Sequence, residues 1–349
     1  MIFRRKRKLN ILFVTSDFSD TPTLHVYDDL EKAVMKLANC KKIPPEELDG
    51  KSLYASTADI MPKVDWVIFY DFELEKRDLK IAFSASNKRY CKVATYVADL
   101  QRWPGDYVIH LNDRYDALLM MYTHLGAALD FKDRKRRRGM NIVPIRPDYY
   151  MRNLKRPYFH LAACVNPELF KPIDRPPRYD VTFLGATGYS CYPLRDVIWK
   201  ELTELSRNEK WRILKKTSPW GASLNRSISK LHGKGEIVGA RYAEVLALSK
   251  IFIFGTSIFK YPLLKFPEAM ACRTCVLADV PLGAEDVYLE PNWNFVSINE
   301  KNWKSKLKYY LTHDREREQI AQRGYETVMK HHTTEVRAKQ LVDWLEANK

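Results

Sequence analysis

A chain of 349 residues is long enough for about two ordinary domains, and its 46% hydrophobic, 12% aromatic and 29% charged content is globular, which excludes disordered, fibrous and disulfide-stapled miniprotein classes. Lys+Arg 58 against Asp+Glu 43 leave a net charge of +15, a surface suited to phosphates, nucleic acid, anionic metabolites or anionic lipid. Six cysteines (Cys40, Cys91, Cys164, Cys191, Cys272, Cys275) with no secretory leader predict reduced thiols and a cytoplasmic address. The basic run Arg4 to Lys8 precedes an apolar stretch that stops at Thr15, too short for an export signal or a membrane span. Peripheral contact with a membrane stays open; crossing one does not.

In chain order, short runs rich in Val, Ile and Phe alternate with segments of helical period, the pattern of an α/β protein with parallel sheets. The first half predicts strands over 9–14, 64–70, 92–97, 117–122 and 141–145, with helices over 24–39 and 73–86. Prolines then concentrate in Asn166 to Pro172 and at Pro176-Pro177, which suits a connection between compact units. The expected division is 1–175 and 176–332, with a final helix over 333–349 returning to the first unit. The second half predicts strands over 179–185, 211–215, 236–238, 251–254 and 275–278. Its helices are expected over 194–206, 241–249, 265–272, 301–311, 314–330 and 333–348.

The segment Phe254 to Cys272 carries the clearest chemistry. A buried strand leads through a loop into a helix whose first turn holds Lys265 and Glu268, at the strand end where open α/β sheets bind ligands. Lys265 brings a mobile cation for a phosphate. Glu268 is an acceptor-only group able to take two sugar hydroxyls. The competing reading makes Glu268 a helix-dipole partner and nothing more.

Pro262 to Ala278, with Lys265 three residues before Glu268 and Ala269-Met270-Ala271 after it, resembles the donor-binding signature of GT-B glycosyltransferases of the family-four and CgeB (spore-maturation) type. Downstream, Tyr309-Tyr310-Leu311, Arg315-Glu316-Arg317, Gly324, His332-Thr333 and Arg337 are similar to the CgeB-like helical tail. Upstream, Asn166 to Pro172 and Asp180 to Gly185 are similar to the interdomain element and the strand after it. Lys260 stands where many family-four members have a second Glu, and Arg273 replaces a usual Gly. The resemblance covers roughly residues 160 to 345.

It implies a GT-B fold, two Rossmann-like domains facing an interdomain cleft, and transfer of a sugar from a nucleotide diphosphate donor with retained configuration, no cofactor and no metal. The matching phosphate loop, Gly185 to Arg195, supplies Gly185 and Gly188 for close backbone approach and Arg195 for charge; Lys215 and Lys216 follow another strand. On the acceptor side, Asp17, Asp99 and His110 are the proton-transfer candidates. Cys272 and Cys275 have metal-motif spacing but no second pair, so a buried helix–strand junction is expected. His331-His332 reads as capping and packing. The basic runs Arg4 to Lys8 and Lys132 to Arg138 are either solvated surface or a grip on a polyanionic acceptor, such as DNA, an acidic glycan or a lipid-linked chain. A non-catalytic nucleic-acid binder and a nucleotide-sugar epimerase are the alternatives.

Overall fold

A computed structural model describes residues 7–22, 24–71, 74, 77–83, 91–98, 106–124, 147–187, 191–217 and 227–349. Six strands form the first sheet: β1 (Asn10–Val14), β2 (Asn39–Ile43), β3 (Trp66–Tyr70), β4 (Lys92–Val97), β5 (Ala117–Met120) and β6 (Tyr158–His160). Five form the second: β7 (Tyr179–Leu184), β8 (Ile213–Lys216), β9 (Ser249–Ile253), β10 (Cys275–Ala278) and β11 (Val296–Ser297). Every pairing is parallel. Parallel strands need helical crossovers on both faces, so their interior strands are apolar throughout, as Ile11-Leu12-Phe13-Val14 and Trp66 to Tyr70 are.

On one face of the first sheet, Ile11, Phe13 and Ile68 pack with Val26, Leu30 and Val34 of the His25–Leu37 helix and with Ala338, Leu341 and Leu345 of the Thr334–Ala347 helix. The other face joins Leu12, Val67 and Phe69 to Leu53, Tyr107 and Leu111. The second sheet buries Phe252, Phe254 and Val276 against Phe266 and Met270. Its reverse side buries Val181, Phe183 and Ile253 against Ile198, Trp303 and Leu307.

Strand order positions the site. The first sheet runs β2-β1-β3-β4-β5-β6 and the second β11-β10-β9-β7-β8. In each, the chain leaves its first strand in one direction and returns on the other side, which opens a crevice between β1 and β3 and another between β7 and β9. Loops that follow strand C-terminal ends meet across the two sheets. Ile228 N donates to Asp20 O at 2.8 Å, the Tyr122 and Tyr261 rings stack at 4.1 Å and 4°, and His124 pairs with Asp286. The two C-terminal edges, and so the two crevices, therefore face each other.

Several elements differ from expectation. Residues 236–238 form no strand; they lead into the Gly239–Ala247 helix, flanked by Gly235 and Gly239 at positive φ of 73° and 57°, turns that break an extended run. The expected 73–86 helix is met at Leu74 but not over 77–83, where Ala82 bridges Ser52 in parallel and Asp78 takes a positive φ of 52°. The expected 141–145 strand lies outside the described residues. Several elements went unread, among them β2, β6, β11 and the Leu53–Ile60, Tyr107–Arg114, Pro147–Asn153 and Ile228–His232 helices. Among the described residues no helix is long and apolar enough to cross a membrane.

Candidate functional site

The β7/β9 crevice gathers the second unit's candidate residues. β7 ends at Leu184, and Gly185 turns the chain with φ 152°, a conformation that side chains rarely adopt. A Cβ at Gly185 would lie 3.3 Å from Arg195 Nη1 and 3.4 Å from Lys265 Nζ. Three expected donor residues thus converge at one point. Gly188, another of the expected donor residues, lies outside the described residues.

Arg195 sits in the first turn of the Pro193–Asn208 helix, 4% exposed, so the alternative of a solvated surface arginine is excluded. Its Nε donates to Gly255 O at 2.6 Å, and its guanidinium lies over the Tyr192 ring at 3.9 Å. Gly255 allows that approach, since a Cβ there would come within 2.9 Å of Leu194 Cβ. Burial lowers the Arg195 pKa, but guanidinium stays charged in proteins.

Lys265 opens the Lys265–Ala271 helix. Its Nζ donates to Leu184 O at 2.8 Å and faces the Tyr242 and Phe252 rings at 5.5 Å. Burial first, and then the Arg195 charge, pull its pKa down to about 7, with Glu268 acting in the opposite sense. Glu268, 6% exposed, accepts a hydrogen bond from Tyr242 Oη at 3.1 Å. Burial raises its carboxyl above the usual range, while Lys265, His25 from the first unit and the Tyr242 bond lower it.

Among the described residues, neither Arg195 nor Lys265 has a carboxylate within ion-pair distance. Holding both basic groups charged side by side in a buried site is costly, which is why Lys265 is pulled down, and an incoming anion would offset that cost. The crevice thus offers two basic groups to an anion, with the acceptor-only carboxylate of Glu268 next to them. Lys215 is turned away: its Nζ donates to Trp199 O at 3.2 Å and lies over the Trp199 ring. Lys216 pairs with Glu236 at 3.6 Å. Neither side chain reaches the Arg195–Lys265 cluster.

Lys260, the departure from the family-four pattern, has a left-handed φ of 55° and pairs with Asp279. Asp279 also accepts from Thr256 N and Oγ1 at 2.6 Å each, which fixes the loop after β9. A separate, small pocket is lined by Pro262, Phe266, Met270, Val328 and His332. Its lining has no charged group suited to a phosphate, and the cationic crevice is the better anion site.

Across the cleft, Asp17 is exposed and accepts from Ser19 N at 2.8 Å. Bonds from the Ser19 side chain and backbone hold its carboxyl below the usual range. His110 lies on the Tyr107–Arg114 helix with Nε2 3.2 Å from Asp71 Oδ1, its ring stacked on Tyr107 at 5.4 Å. Asp71, fully buried just after β3, also accepts from Tyr107 and Tyr115. Burial would raise its pKa, but bonds from His110, Tyr107 and Tyr115 outweigh that and lower it. Asp99 lies outside the described residues. Asp71 and Tyr242 are the residues that sequence reasoning missed; their partners are 36 and 26 positions away, beyond any local pattern.

Among the described residues no three His, Cys, Asp or Glu side chains gather as a metal site. Cys272 and Cys275 are both buried, and burial pushes the Cys275 thiol up to about 12. His332 bridges the units: its ring nitrogens lie 3.1 Å from Ala163 O and 2.8 Å from Val287 O, so it packs the junction and is not paired with His331.

Solved structures share this architecture over almost the whole chain. Anabaena HepE, solved in complex with UDP and glucose, superposes with a TM-score of 0.60 at 10% identity, covering 97% of this chain and 100% of that one. Sucrose-phosphate synthase from Thermosynechococcus elongatus gives 0.55 at 11%, covering 98% and 100%. A glycosyltransferase from Rickettsia africae ESF-5 gives 0.55 at 12%, covering 98% and 99%. At these identities the likeness establishes the fold, and the expected GT-B architecture of two facing parallel sheets holds. No curated protein matches in sequence. The family model described as glycosyl transferase-like matches residues 167–343. That match takes in both crevice cations and Glu268 and runs over more than half of the sequence, and the chain accordingly belongs to the glycosyl transferase-like family.

Proposed function

We propose that this protein moves a hexosyl or pentosyl group from a nucleotide diphosphate sugar to an acceptor, as a CgeB-like enzyme. The donor is bound by 176–332 and the acceptor by 1–175 together with 333–349. The observation that supports the reading is the convergence of two buried basic side chains, Arg195 and Lys265, at Gly185, with no carboxylate within ion-pair distance among the described residues. They take the diphosphate, and Glu268 takes the ribose hydroxyls. HepE, solved with UDP and glucose, supports a nucleotide-linked sugar as the ligand.

In the reaction the bond between the anomeric carbon and the diphosphate oxygen breaks with its electron pair on the diphosphate, and a bond to the acceptor oxygen forms. Arg195 and Lys265 are already in place for the charge that develops, so stabilisation needs little reorganisation and no divalent metal. Family-four resemblance favours retention of configuration. On the acceptor side Asp17 is a weak base, since its carboxyl is held low. His110, fixed by buried Asp71, suits proton transfer better, and Asp99 is the third candidate. The positive charge favours an anionic acceptor: DNA, an acidic glycan or a lipid-linked chain.

A thermal-shift screen of UDP-, GDP-, ADP- and CMP-sugars tests the reading without knowledge of the acceptor. A ligand at a hundred times its Kd adds about 2.7 kcal/mol to stability, so one nucleotide class should raise the midpoint clearly. No shift with any of them would overturn the proposal.

A further inference from the structure

β10 ends at the cleft edge and β11, parallel to it, starts at the opposite edge, so the segment 279–295 descends the side of the second unit. Near its start Asp286 pairs with His124 of the first unit, which marks the rim of the cleft. Tyr288 and Trp293 follow, 44% and 51% exposed. Single exposed aromatics are ordinary, but these two are held in place. The His331 ring stacks on Tyr288 with centroids 3.8 Å apart and planes at 14°. The Arg323 guanidinium lies 3.8 Å over the Trp293 ring, and its Nη1 donates to Trp293 O at 3.3 Å. Each ring is backed on one face, so its exposure belongs to the other face and the edges. Asn294, 2% exposed, fixes the loop: its Nδ2 donates to Tyr288 O at 2.7 Å and to Thr327 Oγ1 at 3.1 Å, and its Oδ1 accepts from Glu290 N at 2.9 Å.

The backing residues set the spacing. Arg323 and His331 lie eight residues apart on the Asp314–His331 helix, about 12 Å at about 1.5 Å per residue, and the two rings they support are separated on that scale. A monosaccharide does not span it; an oligosaccharide does. Rigid aromatic faces engage two ligand classes, the C–H faces of sugars and the bases of nucleic acid. Charge decides between them. Although the whole protein carries +15, residues 285–294 hold Glu285, Asp286 and Glu290 and no Lys or Arg, and Arg323 lies on the covered face of Trp293. Glu285 and Glu290 are exposed. Carboxylates accept sugar hydroxyls and repel a phosphate backbone. We propose that Tyr288 and Trp293 form a stacking track for an uncharged glycan, leading from the cleft rim down the side of the second unit. That the glycan held there is the acceptor rests on the glycosyl-transfer reading; that the track binds glycan does not.

Equilibrium dialysis of the full chain against maltohexaose, cellohexaose and chitohexaose, with no nucleotide present, tests the proposal. At least one hexasaccharide should bind, with an affinity insensitive to salt, and its monosaccharide should bind at least about tenfold more weakly for want of the second ring. Trp293→Ala and Tyr288→Asn, the latter suited to the left-handed φ of 56° there, should each weaken hexasaccharide binding about tenfold with the thermal midpoint unchanged. Should Trp293→Ala unsettle the loop, Trp293→Phe, which keeps a ring over Arg323, should retain most of the binding. Failure of all three hexasaccharides to bind, variants that bind as wild type does, or an oligo-dT that needs both rings where the hexasaccharides do not would overturn the proposal. Stabilisation by a nucleotide sugar should be unchanged in every variant. Its absence in wild type would sink the functional reading and leave glycan binding by the track standing.

Discussion

His332 makes stability at the junction of the two units depend on pH. Its Nε2–H donates to Val287 O, while Nδ1 faces both Ala163 O at 3.1 Å, which favours a proton there, and Arg337 Nη2 at 3.2 Å, which disfavours it. Burial, and then the Arg337 charge, pull the pKa from 6.5 down to about 4. The folded state binds the proton less readily than the unfolded chain. The stabilisation is therefore complete above 6.5 and is lost as pH falls toward 4. At about 1.36 kcal/mol per pH unit, that interval is worth about 3 kcal/mol. Glu31, whose carboxyl burial lifts to about 7, works in the opposite sense over nearly the same range, so the wild-type curve alone does not isolate the histidine. His332→Gln keeps a donor for Val287 O and does not titrate. Urea unfolding of both proteins from pH 7 to pH 4 should show wild type losing about 3 kcal/mol more than the variant. Parallel curves would refute the reasoning.

Gly185→Ala should weaken donor binding by about tenfold, since the new Cβ meets Arg195 and Lys265 at 3.3–3.4 Å on a backbone that disfavours side chains; unchanged affinity in calorimetry would count against the converging geometry. Lys265, with a pKa near 7, should take up a proton when a diphosphate arrives. Titration near neutral pH in buffers of different ionisation enthalpy should reveal uptake that Lys265→Met abolishes, and uptake persisting in the variant would reassign it. Turnover should survive EDTA, because Arg195 and Lys265 meet the diphosphate charge themselves; activity lost on chelation and restored by manganese or magnesium would reject that mechanism.

The central strands were legible because burial on both faces leaves an unbroken apolar run: β4 and β10 occupy the residues expected of them. β2 was not, since Asn39-Cys40-Lys41-Lys42-Ile43 is an edge strand with polar residues where it meets solvent. The Leu53–Ile60 helix buries only Leu53, Tyr54 and Thr57, too weak a periodicity to stand out. In the crevice, Lys265 and Glu268 lie one turn apart on one helix and could be read from spacing. Arg195 could be named, but not its burial, which depends on β9 folding beside it. Tyr242 and Asp71 gain their meaning from partners brought together only by the tertiary fold.

The central claim is that the β7/β9 crevice holds a nucleotide diphosphate sugar, with Glu268 on the ribose. Calorimetric titration of wild type and Glu268→Ala with the nucleotide sugar that stabilises the protein most tests it directly. Wild type should bind at one site per chain, and the variant, with its fold intact by circular dichroism, should lose about 2 kcal/mol, roughly a thirtyfold weakening from the loss of a charged hydrogen-bond acceptor. Equal affinity of the two proteins for the same nucleotide sugar would contradict the account.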